Sequence, residues 1–90
     1  MEEELRRETL KWLERLEERL DGVEHANEKG REFLNNIRAY LSDSKYFLSK
    51  GDLIRAFECV VWAWAWFEIG MDLGLIRSRS RARSDPLGRT

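Results

Sequence analysis

The chain holds one histidine, His25, and one cysteine, Cys59. They are too few and too far apart in sequence to suggest a Cys–His nucleophile pair, which needs the two side chains within hydrogen-bond reach. Cys59, beside Val60 and Val61, reads as a small core residue. His25 falls in the polar stretch "DGVEHANEKG" and reads as solvated. A metal centre lacks ligands, because no Glu-x-x-His pair occurs and a lone cysteine has no second thiolate beside it. The expectation is no catalytic residue, no cofactor and no metal. What remains is binding chemistry. Arg77, Arg79, Arg81 and Arg83 alternate with serine or alanine in "RSRSRARSDPLGRT". A flexible arm of this kind neutralises phosphates without sequence preference and weakens steeply with salt. The plainer reading is a solubilising tail, and no aromatic is interleaved to stack on bases. Trp62 and Trp66, four residues apart, are the other candidates, since tryptophan is a typical interface anchor. Their plainer reading is core, covered by the first helix through Trp12, Leu13 and Leu16.

One spacing resembles catalytic machinery. Arg19 and His25 enclose five residues in "RLDGVEH", similar to the motif of HEPN ribonucleases, which are also small helical bundles. In that family the pair polarises a phosphate and activates a ribose 2′-hydroxyl. Here the pair straddles a helix end, and the third helix has no histidine. The enzyme reading therefore stands behind both binding readings, and the expectation is a protein without catalytic activity.

Size and charge bound the setting. Ninety residues make a single domain with a modest core, one that needs close packing or a partner. Apolar residues at 42% and charged ones at 37% indicate a globular chain. Glutamine is absent, and Glu, Lys and Arg dominate the polar positions. That bias belongs to heat-adapted proteins, in which charges cost less to desolvate. A single cysteine and a charged "MEEELRRETLK" start predict a reduced, cytoplasmic setting without a secretory signal. The longest uncharged run, Cys59 to Phe67, has nine residues, far short of the roughly 20 that span a bilayer. Residues 1–76 carry a net charge of −5 and residues 77–90 a net charge of +4. Body and tail are separate electrostatic objects.

Three elements must position these residues. From about 2 to 20, Leu5, Thr9, Trp12, Leu13, Leu16 and Leu20 recur at three- and four-residue steps, and the opposite arc is charged. This is an amphipathic helix. From about 28 to 49, Phe33, Leu34, Ile37, Tyr40, Leu41, Ser44, Phe47 and Leu48 share one arc, with Asn27 as a start and Gly30 on the same side. "SKGD" then supplies Gly51 for a left-handed cap and Asp52 as the next N-cap. So short a connection makes the second and third helices antiparallel neighbours.

The third segment runs from 53 to about 75. Its "VVWAWAWF" places tryptophan at every second position, a strand signature. Arg55, Glu58, Glu68 and Asp72, however, are spaced for a helix, and twenty residues are too many for one strand. On a helix, Trp64 joins Leu53, Phe57, Val60, Phe67 and Met71. Trp62 and Trp66 share the opposite side with Ile69 and Leu73, and a small-residue seam of Ala56, Cys59, Ala63 and Gly70 lies between. A helix apolar on two sides is buried or partnered. The expected fold is an all-α, up-down-up three-helix bundle over 1–76, with the third helix central. Residues 77–90 have no apolar period and are expected to be a disordered basic tail.

"AYLSDSKYFLSKGDLIRAFECVVWAWAWFEIGMDLGLI" resembles the archaeal family known as domain of unknown function 357. The resemblance rests on Tyr40, Asp43, Phe47, Leu48, Gly51, Asp52, Ala56, Phe57, Ala63, Trp64 and Gly70, and covers roughly residues 30–76. It implies a small cytoplasmic helical bundle from an archaeon and no particular activity. Two binding functions follow as expectations. The first is an interaction module that self-associates as a homodimer or docks another protein through Trp62, Trp66, Ile69 and Leu73, with Trp12. The alternative is weak, nonspecific nucleic-acid contact through the arginines, with no membrane role in either case.

Overall fold

The computed structural model describes residues 2–79. Three helices, α1 (Glu2–Asp21), α2 (Glu28–Ser49) and α3 (Leu53–Asp72), form the expected bundle. Two three-residue strands, β1 (Val23–His25) and β2 (Ile76–Ser78), close one end.

Each helix forms where its apolar spacing and caps agree. In α1, Thr9, Leu13, Leu16 and Leu20 are buried one turn apart. Thr9 satisfies its own hydroxyl by donating to the Leu5 carbonyl at 2.8 Å, so the core holds no orphan there. Glu2, Glu3 and Glu4 open the helix and Arg19 closes it, each sign matching the helix dipole. In α2, the Asn27 side chain accepts from the Gly30 N–H at 2.9 Å, an N-cap contributing about 1 kcal/mol. Gly30, Leu34, Ile37, Leu41 and Ser44 form its buried stripe.

The α2–α3 junction closes by two backbone bonds, Asp52 N to Phe47 O at 2.9 Å and Gly51 N to Leu48 O at 3.1 Å. Gly51 sits at φ +78°, which a side chain would strain. Asp52 ends one helix with its backbone and starts the next with its side chain, which accepts from Arg55 N at 3.3 Å. With no slack in the connection, α2 and α3 pack along their length. Ala56, Ala63 and Gly70 recur every second turn on the buried side of α3. The backbones come close enough for Ser44 Oγ to donate to the Ala56 carbonyl at 2.7 Å. Leu13, Leu16, Leu34, Ile37, Leu41, Val60, Phe67 and Ile76 belong to one core cluster. Each fully buried large side chain contributes about 1.5–3 kcal/mol relative to exposure. Packing, more than helix propensity, therefore holds the bundle.

The structure corrects the sequence reading at one end. Helix α3 stops at Asp72 rather than running to 75, because Gly74 turns left-handed at φ +74°. Leu75 N then reaches Gly70 O at 2.9 Å, repeating the cap seen after α2. The chain doubles back, and β2 pairs antiparallel with β1 in the register Val23↔Ser78, Glu24↔Arg77 and His25↔Ile76. Ala26 N–H donates to Leu75 O at 2.8 Å and Arg79 N–H to Gly22 O at 2.9 Å, extending the clasp both ways. Ile76, 1% exposed, is the hydrophobic pin. The tail expected from residue 77 therefore does not begin there. Residues 80–90 lie outside the described residues.

Candidate functional site

Helix α3 sends its buried side, Leu53, Ala56, Val60, Ala63, Phe67 and Gly70, into the bundle. The alternating tryptophans leave that side on two flanks. Successive residues turn by 100°, so Trp62 and Trp64 diverge by about 160° while Trp62 and Trp66 stay within about 40°.

Trp64 goes to α1. Its ring meets Trp12 edge-on at 5.7 Å and Phe67 edge-on at 5.8 Å, and its Nε1–H donates to the Trp12 carbonyl at 3.0 Å. Trp12 Nε1–H in turn donates to Glu8 at 3.2 Å, and the Arg15 guanidinium lies 5.6 Å from the Trp12 ring. Trp62 and Trp66 go to α2. Trp66 meets Phe33 edge-on at 4.7 Å, and Trp62 lies nearly parallel to Tyr40 at 6.5 Å. The cover expected from α1 over Trp62 and Trp66 is thus supplied by α2, and only in part.

Trp62 remains 56% exposed, as do Ile54 (67%), Val61 (48%), Ile69 (48%) and Leu73 (66%). All five lie on the side of α3 turned away from the core, with Ala65 among them half-buried. Scattered exposed apolar residues are ordinary; here five of them share one side of a single helix. On the helical projection Glu58, Asp72 and Arg55 lie among these residues and Glu68 lies at their edge, all exposed. Beside it an apolar groove of about 410 Å³ opens between α1 and α3, lined by Trp12, Phe57, Val61, Trp64 and Ala65.

Of the residues singled out from sequence, Trp62, Ile69 and Leu73 share the outward face, with Trp66 half-buried at its α2 edge. Trp12 lines the groove on the α1 side together with Val61 and Ala65, and that groove does not include Trp62, Ile69 or Leu73. Ile54, Val61 and Ala65 were missed. Their signal was available in the helical projection, since they fall between the two tryptophan flanks, but none stands out by residue type.

The arginines divide. Arg77 is in β2 and pairs across the strands with Glu24 at 2.9 Å, and the Arg79 guanidinium donates to the Asp21 carbonyl. Both are held to the body of the fold and are not the start of a loose arm. Arg81 and Arg83 lie outside the described residues. The Arg19–His25 spacing does not become a pair at one site. Arg19 stacks over Phe67 at 4.9 Å, whereas His25 is exposed in β1 opposite Ile76.

Cys59 is half-buried at the helix edge rather than inside the core. Burial first, then the Asp43 and Glu58 carboxylates, push its thiol pKa up. Among the described residues, no three His, Cys, Asp or Glu side chains converge as metal ligands. No described helix is long and apolar enough to cross a membrane.

The family described as "Protein of unknown function (DUF357)" matches residues 11–76, which take in the second half of α1, the whole of α2 and α3, and the pin Ile76. The crystal structure of protein AF1782 from Archaeoglobus fulgidus, assigned to the same family, is similar at 63% identity. It covers 87% of this chain and 97% of its own, with a TM-score of 0.79. No curated protein matches.

Proposed function

We propose, given that the chain belongs to the DUF357 family of proteins of unknown function, that it is a small helical interaction module. It docks a protein partner on the outward face of α3 and performs no catalysis. The observation that carries this reading is the exposure of Trp62, Ile69 and Leu73 together on one helix side. Tryptophan on a rigid helix anchors interfaces at low entropic cost, because few torsions must be fixed. The clasp and the Gly51–Asp52 turn make the helix such a rigid support.

The nucleic-acid reading loses ground to this one. Arg77 and Arg79 already bond to Glu24 and Asp21. A phosphate-binding arm would have to rest on Arg81 and Arg83.

A photoreactive residue placed at position 62 of the full chain, in the cells that make it, tests the docking reading. The expected result is a covalent adduct of discrete mass from position 62 and none from position 18, an exposed site on α1. No adduct, or equal adducts from both sites, overturns it.

A further inference from the structure

Resting on that docking reading, we infer that the protein partner presents a cationic amphipathic helix, with an apolar stripe between lysine or arginine side chains. The charges on the outward face of α3 carry the inference. At 100° per residue Glu58 lies near the centre of that face, Asp72 beside it and Glu68 at its α1 edge, all exposed. Glu58 has Ile54, Val61 and Trp62 as helix-surface neighbours three and four residues away, and each of these is itself exposed. A carboxylate there stands in the middle of the apolar surface, not at its rim.

Among the described residues, Glu58, Glu68 and Asp72 form no ion pair. Arg55, the only cation in α3, is already committed, with Nε 3.7 Å from Asp52 and its guanidinium 5.8 Å from the Phe47 ring. On the α1 side Lys11 pairs with Glu8, and Arg15 lies over Trp12.

These charges work against the isolated helix. The last turn of α3 holds Asp72 and no basic residue, so a negative charge meets the negative end of the helix dipole. Glu68 stands four residues before it, a like-charged pair on one side of the helix. A local rule broken in this way, at exposed positions the core does not need, marks a place shaped for something outside the chain. A cation from a docked partner relieves both repulsions, and the apolar contact around it excludes water and strengthens the pairing.

Spacing sets the form of the partner. At 1.5 Å per residue Glu58 and Asp72 lie about 21 Å apart along the axis. Val61, Trp62, Ala65 and Ile69 fall between them, and Ala65 is the short side chain over which a larger one fits. A helix of about four turns covers that length, with apolar residues in the middle and cations near both ends. The face repels nucleic acid and anionic lipid. A second copy brings the same carboxylates and an arginine already taken, which leaves every one of them unpaired at the contact.

Two measurements test this. The first is on the free chain, where Asp72→Asn removes the charge at the helix end and keeps the side-chain size. Its melting temperature at neutral pH and low salt is expected to rise by about 2 °C. No change, or a fall, shows that the carboxylate is already satisfied within the chain and overturns the inference. The second repeats the position-62 cross-linking in the full chain with Glu58→Gln and Asp72→Asn added. Adduct yield is expected to drop at least about threefold. Glu14→Gln with Glu18→Gln, an equal loss of charge on α1, is expected to leave it within about 1.5-fold, because exposed charges that far off are screened. The cross-linked peptide of the partner, sequenced by mass spectrometry, is expected to carry a net charge of about +2 or more.

An adduct whose partner peptide is neutral or acidic sinks the cationic-helix inference and leaves the docking reading standing. So does an adduct to a second copy of this chain, or equal yields from the two pairs of variants. The absence of any adduct from position 62 sinks the docking reading itself.

Discussion

Gly30 and Leu75 touch backbone to backbone. A Cβ on Gly30 would lie 1.9 Å from the Leu75 carbonyl oxygen. That same oxygen accepts the Ala26 N–H at 2.8 Å. The first turn of α2 is therefore shaped to receive the end of α3, and the clasp closes only because position 30 has no side chain.

Gly30→Ala weighs two effects against each other. Alanine improves helix propensity by about 1 kcal/mol. Overpacking against backbone costs about 1–3 kcal/mol and here carries the further loss of the clasp, so the clash wins. The expected outcome is a net destabilisation of about 2 kcal/mol, read from the urea midpoint. A gain in stability would show that Leu75 does not rest on α2.

Trp64→Phe and Trp62→Phe separate core from surface. Trp64→Phe removes the hydrogen bond to Trp12 and shrinks a ring packed edge-on between Trp12 and Phe67. The bond is worth about 1 kcal/mol and the ring geometry a similar amount, so a loss of about 2 kcal/mol is expected. Trp62→Phe, at a 56% exposed position, is expected to cost less than about 0.5 kcal/mol, as surface changes do. The two stabilities are compared at a concentration where the chain is monomeric.

Cys59 is expected to be a slow thiol. Its pKa is raised by burial and by the Asp43 and Glu58 carboxylates, and the thiolate is the reactive form. Alkylation by iodoacetamide should run at least about tenfold slower in the folded chain than in urea. Equal rates would place Cys59 in open water.

Acid should erode stability through two helix-surface carboxylates. Glu8 is held below its ordinary value by the Lys11 hydrogen bond, and Glu28 by that of Arg31. A carboxylate with a lowered folded pKa stabilises the fold above its unfolded value and ceases to as pH falls through the folded one. The contribution is thus intact at neutral pH and fades below the ordinary value of 4.5. The melting temperature of a Glu8→Gln, Glu28→Gln double variant should lie below the native one at neutral pH and converge with it in acid. A constant gap across that range would contradict the assignment.

Much of the fold was legible because it is local. The caps at Asn27, Gly51 and Asp52 work through hydrogen bonds three to five residues long, and the buried stripes of α1 and α2 recur with the helix turn. The helical reading of the tryptophan run held for the same reason, since twenty residues of charge spacing outweigh five of alternation. The apolar character of α3 on two sides was also visible, because it depends only on residue type and angle. The β1–β2 clasp was not legible. Each strand has three residues, too few for a period of two to register, and the pairing joins Val23 to Ser78 across more than half of the chain.

The sequence by itself determined three helices, their ends to within a few residues, and a third helix with more apolar surface than one neighbour could cover. Only the tertiary structure decided which neighbour takes which flank. Trp64 went to α1, Trp66 and half of Trp62 went to α2, and the face between them was left to water. It also took Arg77 and Arg79 out of the tail and tied them to the body. The physical reason is range. Caps and periodicity act within a few residues of the same helix, whereas burial of a flank depends on where two other helices lie.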